Sequence, residues 1–218
     1  MAIYVDSASV DDVTAAASLG FVTGFTTNPA LMARVTRDAL GQFGRLLASF
    51  PAGPAFFQPT GATHGAVLDD ARAAAFLAPA RVVIKLGATP AGAAAAAVLT
   101  KEGIRCSLTA AYAPAQALAA HGTGCSWVIP YVDRADRQGV GGFALVGSFA
   151  ALLAQLRSDT RVLAASLKTP AQLTDAVLHG AHDVTAPLDV LRALPQHPLS
   201  DAAMHEFAAA WDDARRSP

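Results

Sequence analysis

The run Arg81-Val82-Val83-Ile84-Lys85-Leu86 decides how this chain is read. An unbroken apolar stretch of this length suits a strand covered on both faces, as in a parallel sheet wrapped by helices. A lysine inside such a strand is rarely buried without a partner or a purpose. Side chains alternate along a strand, so if Lys85 points into a barrel, Ile84 and Leu86 point out toward the helices. The plainer alternatives are an edge strand or a lysine whose stem is covered while its amine reaches water.

Seven similar segments lie on either side: Ile3–Asp6, Phe21–Thr26, Ala55–Gln58, Ile104–Thr109, Trp127–Tyr131, Val162–Ser166 and Asp183–Thr185. Stretches of helical composition separate them. Ser9–Leu19 opens with a Ser cap and places Asp11 and Asp12 in its first turn. Ala62–Leu77, Ala91–Lys101, Ala111–Ala120 and Phe143–Arg157 follow, then Pro170–Leu178 with Thr169 as cap and Pro170 in the first turn. The Ala-rich Ala93–Ala97 reads as helix that must pack closely. Ser200–Arg215 is a last amphipathic helix with Met204, Phe207 and Trp211 on one stripe. Strands alternating with helices, with no linker or composition shift, predict an α/β fold: a single (β/α)₈ TIM barrel with an extra C-terminal helix, one domain over residues 1–218. A doubly wound open sheet is the competitor, but no Gly-rich dinucleotide loop follows the first strand.

Composition agrees. The chain has 218 residues, at the low end for such barrels. It is 53% hydrophobic and 15% charged, enough apolar side chain to bury a large core. A net charge of −1 with no basic stripe predicts no nucleic-acid partner. No apolar run approaches the length that spans a bilayer, and the N-terminus lacks a signal-peptide pattern. The expectation is a cytoplasmic protein with no membrane partner. Two cysteines, Cys106 and Cys125, are too few for a disulfide framework. His179 and His182 have a spacing that could hold a metal on a helix, but Gly180 between them reads as a helix end. No metal and no cofactor are expected.

Seven of the eight segments end on, or are followed at once by, a residue able to bind or react: Asp6, Asn28 after Thr26-Thr27, Gln58, Lys85, Thr109, Tyr131 and Ser166. Barrel active sites lie at the carboxyl ends of the strands. Singly, Asp6 could cap a helix, Thr109 could bond a neighbouring strand end and Tyr131 could be a packed aromatic. Burial disfavours the ammonium form of a lysine, and a free amine attacks carbonyls to form a Schiff base. Late strands of these barrels commonly hold phosphate. Arg134 offers a planar fork, Lys168 a point charge and Ser166 a hydroxyl; two surface cations are the alternative.

Together these residues resemble the transaldolase family, in particular its short branch of fructose-6-phosphate aldolases and transaldolase-like proteins, nearly end to end. The matching stretches are Tyr4-Val5-Asp6-Ser7, Thr26-Thr27-Asn28-Pro29, Val82-Val83-Ile84-Lys85, Lys101-Glu102-Gly103-Ile104, Pro130-Tyr131-Val132-Asp133-Arg134 and Val162 through Pro170. The Thr-Thr-Asn-Pro and Ala-Ala-Ser-x-Lys stretches are the specific ones. The resemblance implies Lys85 as the Schiff-base lysine and Asp6 as the acid that orients and protonates the bound ketose. It implies Asn28, beside Thr27, as a substrate holder. Gln58, Thr109 and Tyr131 would position water and move protons, and Arg134, Ser166 and Lys168 would bind phosphate. Where larger transaldolases carry Glu and Phe, this chain has Gln58 and Tyr131, which resembles the aldolase branch. Three departures stand out: Gly87 in place of a proline, the shortened Pro59-Thr60-Gly61 segment, and Ile129 where relatives carry a small residue.

The resemblance implies a class I aldolase that forms or cleaves a ketose phosphate such as fructose 6-phosphate, yielding dihydroxyacetone and glyceraldehyde 3-phosphate. The alternatives are a transaldolase moving the dihydroxyacetone unit between sugar phosphates, a Schiff-base aldolase for deoxy-sugar phosphates, and a non-catalytic barrel that binds sugar phosphate. The expected partner is a small-molecule sugar phosphate. Packing of the final helix across subunits, as in the short branch, implies a homo-oligomer, a pentamer or decamer. Alternatively the stripe closes its own barrel.

Overall fold

The eight apolar runs pair in chain order, each parallel to the next, and the last pairs with the first to close a barrel. The computed structural model describes residues 1–216, so the last two residues of the expected domain lie outside the described residues. The strands are β1 (Ala2–Asp6), β2 (Gly24–Thr26), β3 (Ala55–Phe57), β4 (Val82–Gly87), β5 (Cys106–Ala111), β6 (Trp127–Pro130), β7 (Arg161–Ala164) and β8 (Asp183–Ala186). The helices are α1 (Val10–Ala17), α2 (Pro29–Val35), α3 (Ala39–Ser49), α4 (His64–Leu77), α5 (Pro90–Lys101), α6 (Pro114–Gly122), α7 (Val132–Arg137), α8 (Gly142–Gln155), α9 (Pro170–Leu178), α10 (Leu188–Ala193) and α11 (Pro198–Arg216). This is the expected (β/α)₈ barrel with an extra C-terminal helix.

Alternation sorts the core into two layers. Tyr4, Phe56, Val83, Trp127, Ile129, Leu163 and Ala165 fill the barrel interior. Ile84 and Leu86 join the larger layer between strands and helices. That layer takes its inner helix faces largely from alanine: Ala71 and Ala74 of α4, Ala95 and Ala96 of α5, and Ala117 and Ala120 of α6 are buried. Small side chains let these helices lie close on the sheet, as the Ala-rich run predicted.

The caps follow the sequence signals. Ser9 accepts from the Asp12 N–H, and Thr169 accepts from the Gln172 N–H with Pro170 in the first turn. His179 ends α9 and Gly180 takes φ +99°, the helix end expected there. Several boundaries differ. Only Gly24–Thr26 of the expected Phe21–Thr26 enters the ladder. β5 runs on to Ala111, through a bulge at Ala110, so α6 starts at Pro114 rather than Ala111. β7 stops at Ala164, and Ser166 leaves the strand with φ +62°.

Four helices were not anticipated: α2, α3, α7 and α10. The first two carry ordinary start signals. Asn28 caps α2 ahead of Pro29, and the Asp38 side chain accepts from the Gly41 N–H. Arg81, the first residue of the deciding run, turns away from its strand to donate to carbonyls at and beyond the end of α3, those of Leu47, Phe50, Ala52 and Gly53. None of the described residues of α11 is buried, so its stripe does not close its own barrel.

The amino-terminal end of the barrel is locked by a buried acid. Asp183 is bound by Arg161 through two 2.7 Å contacts, by Trp127 Nε1 at 2.9 Å and by the Ala2 N–H at 2.7 Å. Burial works against its charge, but the Arg161 and Trp127 hydrogen bonds outweigh it and hold the carboxyl below the usual carboxylate range. The same burial, with Asp183 nearby, pushes the Tyr4 phenol up.

Candidate active site

A cavity of about 430 Å³ opens at the carboxyl ends of the strands. Of the ten residues singled out from sequence, eight line it: Asp6, Asn28, Gln58, Lys85, Tyr131, Arg134, Ser166 and Lys168. Thr27 and Thr109 are buried and do not line it.

Lys85 points inward with Val83, as alternation requires, and is 4% exposed. Its Nζ donates to the carbonyl oxygen of Thr27 at 2.7 Å. It forms no ion pair with any described residue. An amine resting on a neutral acceptor is not tied up by a carboxylate, and can approach a carbonyl carbon in the cavity. Thr27 is itself fixed, its hydroxyl donating to the Phe56 carbonyl at 2.9 Å.

Asp6 heads a hydroxyl chain. The Thr26 hydroxyl donates to Asp6 Oδ1 at 2.7 Å and also lies 2.7 Å from the Thr185 hydroxyl. A hydroxyl has one proton to give. With that of Thr26 committed to Asp6, Thr185 donates to Thr26. Thr26 and Thr185 both line the cavity but were not singled out from sequence. Thr185 ends the eighth segment as read from sequence, one residue before the end of β8, so the strand-end rule that selected the other seven reaches it too.

Asn28 spends its Oδ1 on the Leu31 N–H at 3.0 Å, capping α2, which leaves its amide NH₂ for the cavity. Tyr131 stands at the end of β6. The Thr109 hydroxyl donates to it across a long 3.4 Å contact, and the Arg134 guanidinium lies 5.1 Å from its ring centroid. Ala110 and Ser166 both line the cavity in the left-handed region, at φ 57° and 62°. Such non-glycine conformations cost on the order of 1–3 kcal/mol and persist where the surroundings impose them.

The departures now have places. Ile129, 1% exposed, lines the cavity beside Leu163 and Ala165, so its bulk narrows the cavity there. Gly61 sits against the α4 backbone, where a Cβ would lie 2.4 Å from the Ala66 carbonyl carbon. The shortened loop therefore needs glycine. Gly87 has no such constraint: a Cβ there would meet only Thr89, at 3.8 Å. Arg34, Leu163 and Ala165 also line the cavity and went unnoticed in the sequence. Arg34 lies on α2, a helix that had not been expected.

The family model for Transaldolase/Fructose-6-phosphate aldolase matches residues 59–217. The chain belongs to the transaldolase/fructose-6-phosphate aldolase family. It is 36% identical to a probable transaldolase of Roseiflexus sp. (strain RS-1), over 97% of each chain. It is 34% identical to a probable transaldolase of Symbiobacterium thermophilum, over 99% of each. The crystal structure of a mandelate oxidase variant with 2-hydroxy-phenylacetamide superposes with a TM-score of 0.63 at 16% identity, over 88% of this chain and 66% of that one, a likeness of fold alone. Membership makes this chain a Schiff-base-forming enzyme of carbohydrate metabolism. Among the described residues, no helix is long and apolar enough to cross a membrane.

Proposed function

We propose that this chain is a transaldolase acting on ketose phosphates, with Lys85 as the nucleophile. The observation that carries the reading is a buried amine, free of carboxylates, resting 2.7 Å from a neutral carbonyl in a cavity lined by Asp6 and Tyr131. Transfer is placed ahead of cleavage because the relatives, at 34–36% identity over nearly the whole chain, are named probable transaldolases.

The Lys85 amine adds to the ketone carbon C2, and loss of water leaves an iminium. Asp6, backed by Thr26 and Thr185, takes the proton of the C4 hydroxyl. The C3–C4 bond breaks, its electron pair flows into the iminium, and an aldehyde departs. The enamine that remains then attacks the carbonyl carbon of an acceptor aldehyde, whose oxygen takes a proton from Asp6. Hydrolysis of the new iminium frees Lys85. Asn28 holds donor hydroxyls, Gln58 and Thr109 position water, and Arg134, Ser166 and Lys168 bind the phosphate. Each step uses only side chains, with no metal or organic cofactor.

The second reading, an aldolase cleaving fructose 6-phosphate to dihydroxyacetone and glyceraldehyde 3-phosphate, is favoured by the Tyr131 hydroxyl. It accepts from Thr109 and so keeps its own proton for the enamine carbon. Fructose 6-phosphate with and without erythrose 4-phosphate separates the two. Transfer predicts sedoheptulose 7-phosphate formed faster than dihydroxyacetone is released. Release at an equal or greater rate moves the assignment to the aldolase, and turnover of neither overturns both.

We further take the chain as one domain over residues 1–218, and the protein as a cytoplasmic homo-oligomer, a pentamer or decamer. The exposure of Met204, Phe207 and Trp211 on α11 supports the assembly, because large apolar side chains left in water favour a partner surface. Deletion from Ser200 onward should yield smaller species in light scattering. A full-length protein that is monomeric at micromolar concentration refutes the oligomer.

A further inference from the structure

We propose that Arg34 is a specificity-determining residue that binds a phosphate dianion from the wall of the cavity opposite Arg134. The inference rests on the proposed chemistry for its substrates, though not for its geometry.

Three observations carry it. The first is placement. Pro29, Ala30, Leu31 and Arg34 of α2 all line the cavity. Ala30 and Arg34 are four residues apart and Leu31 and Arg34 three, so they share one helix face. The Asn28 cap and Pro29 set where that face begins, and Arg34 stands exposed about one turn farther along it, in the last turn of α2.

The second is topology. α2 follows β2, whereas Arg134 follows β6 and Ser166 and Lys168 follow β7. In a closed ring of eight strands, β2 and β6 face each other across the barrel. Arg34 therefore approaches a bound substrate from the side that the other phosphate-binding residues do not reach.

The third is charge. Four cationic side chains line the cavity, Arg34, Lys85, Arg134 and Lys168, against one carboxylate, Asp6. None of the four forms an ion pair with a described residue. The whole chain carries a net charge of −1, so this local excess is not a general basic character. Unpaired cations facing one another around a concave mouth focus a positive field and draw in anions. A guanidinium adds a planar fork that matches phosphate oxygens. A surface arginine near the end of α2 would gain a little from the helix dipole, but that gain gives no reason to face the cavity.

Arg34→Ala and Arg34→Lys are assayed with erythrose 4-phosphate and with unphosphorylated glyceraldehyde as acceptors, and with fructose 6-phosphate and dihydroxyacetone phosphate as donors. The expected result for Arg34→Ala is a KM at least tenfold higher for one or more phosphorylated substrates. The KM for glyceraldehyde should stay within twofold, kcat should be little changed, and Arg34→Lys should recover part of the loss. Whichever phosphorylated substrate is affected reveals whether the dianion is the terminal phosphate of a sugar or one on the donor's C1 side. Equal effects on phosphorylated and unphosphorylated substrates, or none, overturn the proposal. Calorimetric titration with inorganic phosphate separates this site from the chemistry. Weaker binding to Arg34→Ala supports the anion site even if no imine can be trapped at Lys85. Unchanged phosphate binding together with unchanged KM values removes Arg34 while leaving the Schiff-base reading intact.

Discussion

Lys85 on β4 and Thr27, just past β2, meet over the end of the strand between them, Nζ to carbonyl oxygen, 2.7 Å apart. They are 58 positions apart in sequence. The acceptor is a main-chain atom, so no substitution at Thr27 removes it.

That geometry makes Lys85 the residue that borohydride should trap. With dihydroxyacetone or fructose 6-phosphate present, reduction should add the donor's mass to the peptide containing Lys85, and Lys85→Ala should turn over at background rate. Label on Lys101 or Lys168 with Lys85→Ala still active would falsify the mechanism.

In the proposed reaction Tyr131 decides the fate of the enamine. Removing its hydroxyl takes away the proton donor proposed for the enamine carbon, while the incoming aldehyde can still react. Positioned proton donors contribute on the order of 10²–10⁴-fold. Tyr131→Phe should therefore lower release of dihydroxyacetone from fructose 6-phosphate by about 10²-fold, while transfer to erythrose 4-phosphate holds or improves. Parallel loss of both rates in the same assays would mean that Tyr131 only shapes the site.

In the proposed reaction Ile129, which lines the cavity, narrows the space for the donor. Ile129→Ala should lower the KM for dihydroxyacetone as donor. Burying less apolar surface also costs stability: large-to-small core changes of this kind cost about 2–5 kcal/mol, and the cavity side of the residue places the loss at the low end. Thermal melts alongside donor kinetics check both parts. An unchanged donor KM would show that the side chain does not limit the pocket.

Asp183 makes the fold acid-sensitive. Its folded-state carboxyl titrates below the unfolded value of about 3.9. The stability it contributes is therefore complete above that pH and disappears as pH falls through the lower folded value. Asp183→Asn should destabilise the protein at pH 7 by about 2–3 kcal/mol, below the figure for a fully buried pair, because the Arg161 side chain is 41% exposed. The variant should also lose less stability than the parent between pH 5 and pH 3. Urea melts across that range provide the measurement, and parallel pH dependence in the two proteins would remove Asp183 as the sensor.

Much was legible before any coordinates. Period-two alternation put Lys85 on the opposite face from Ile84 and Leu86, because successive side chains of a strand point to opposite sides; the closed barrel decided that the face of Lys85 is the inner one. Strand ends named most of the cavity wall, because parallel strands all deliver their carboxyl ends to one mouth. Boundaries were less legible. The bulge at Ala110 and the left-handed Ser166 are set by neighbouring strands, and no local propensity signals them. Asn28-Pro29 serves both the cavity and the start of α2, so one short stretch carries a cap signal and a site residue together.

What the sequence determined alone was the set of local rules: alternation, caps, close-packing alanines and the residue types able to form and break an imine. Tertiary structure alone decided which groups meet. The Thr26–Thr185 contact spans 159 positions and exists only because β8 returns to pair with β1. Asp183 holds its charge in the interior only because Arg161 and Trp127 arrive from two other strands. Arg34 faces the cavity only because α2 lies along its rim. The Thr26–Thr185 contact depends on closure of the barrel, and the other two on neighbouring elements packing against one another. Closure is cooperative burial summed over all eight strands, and no window of sequence contains it.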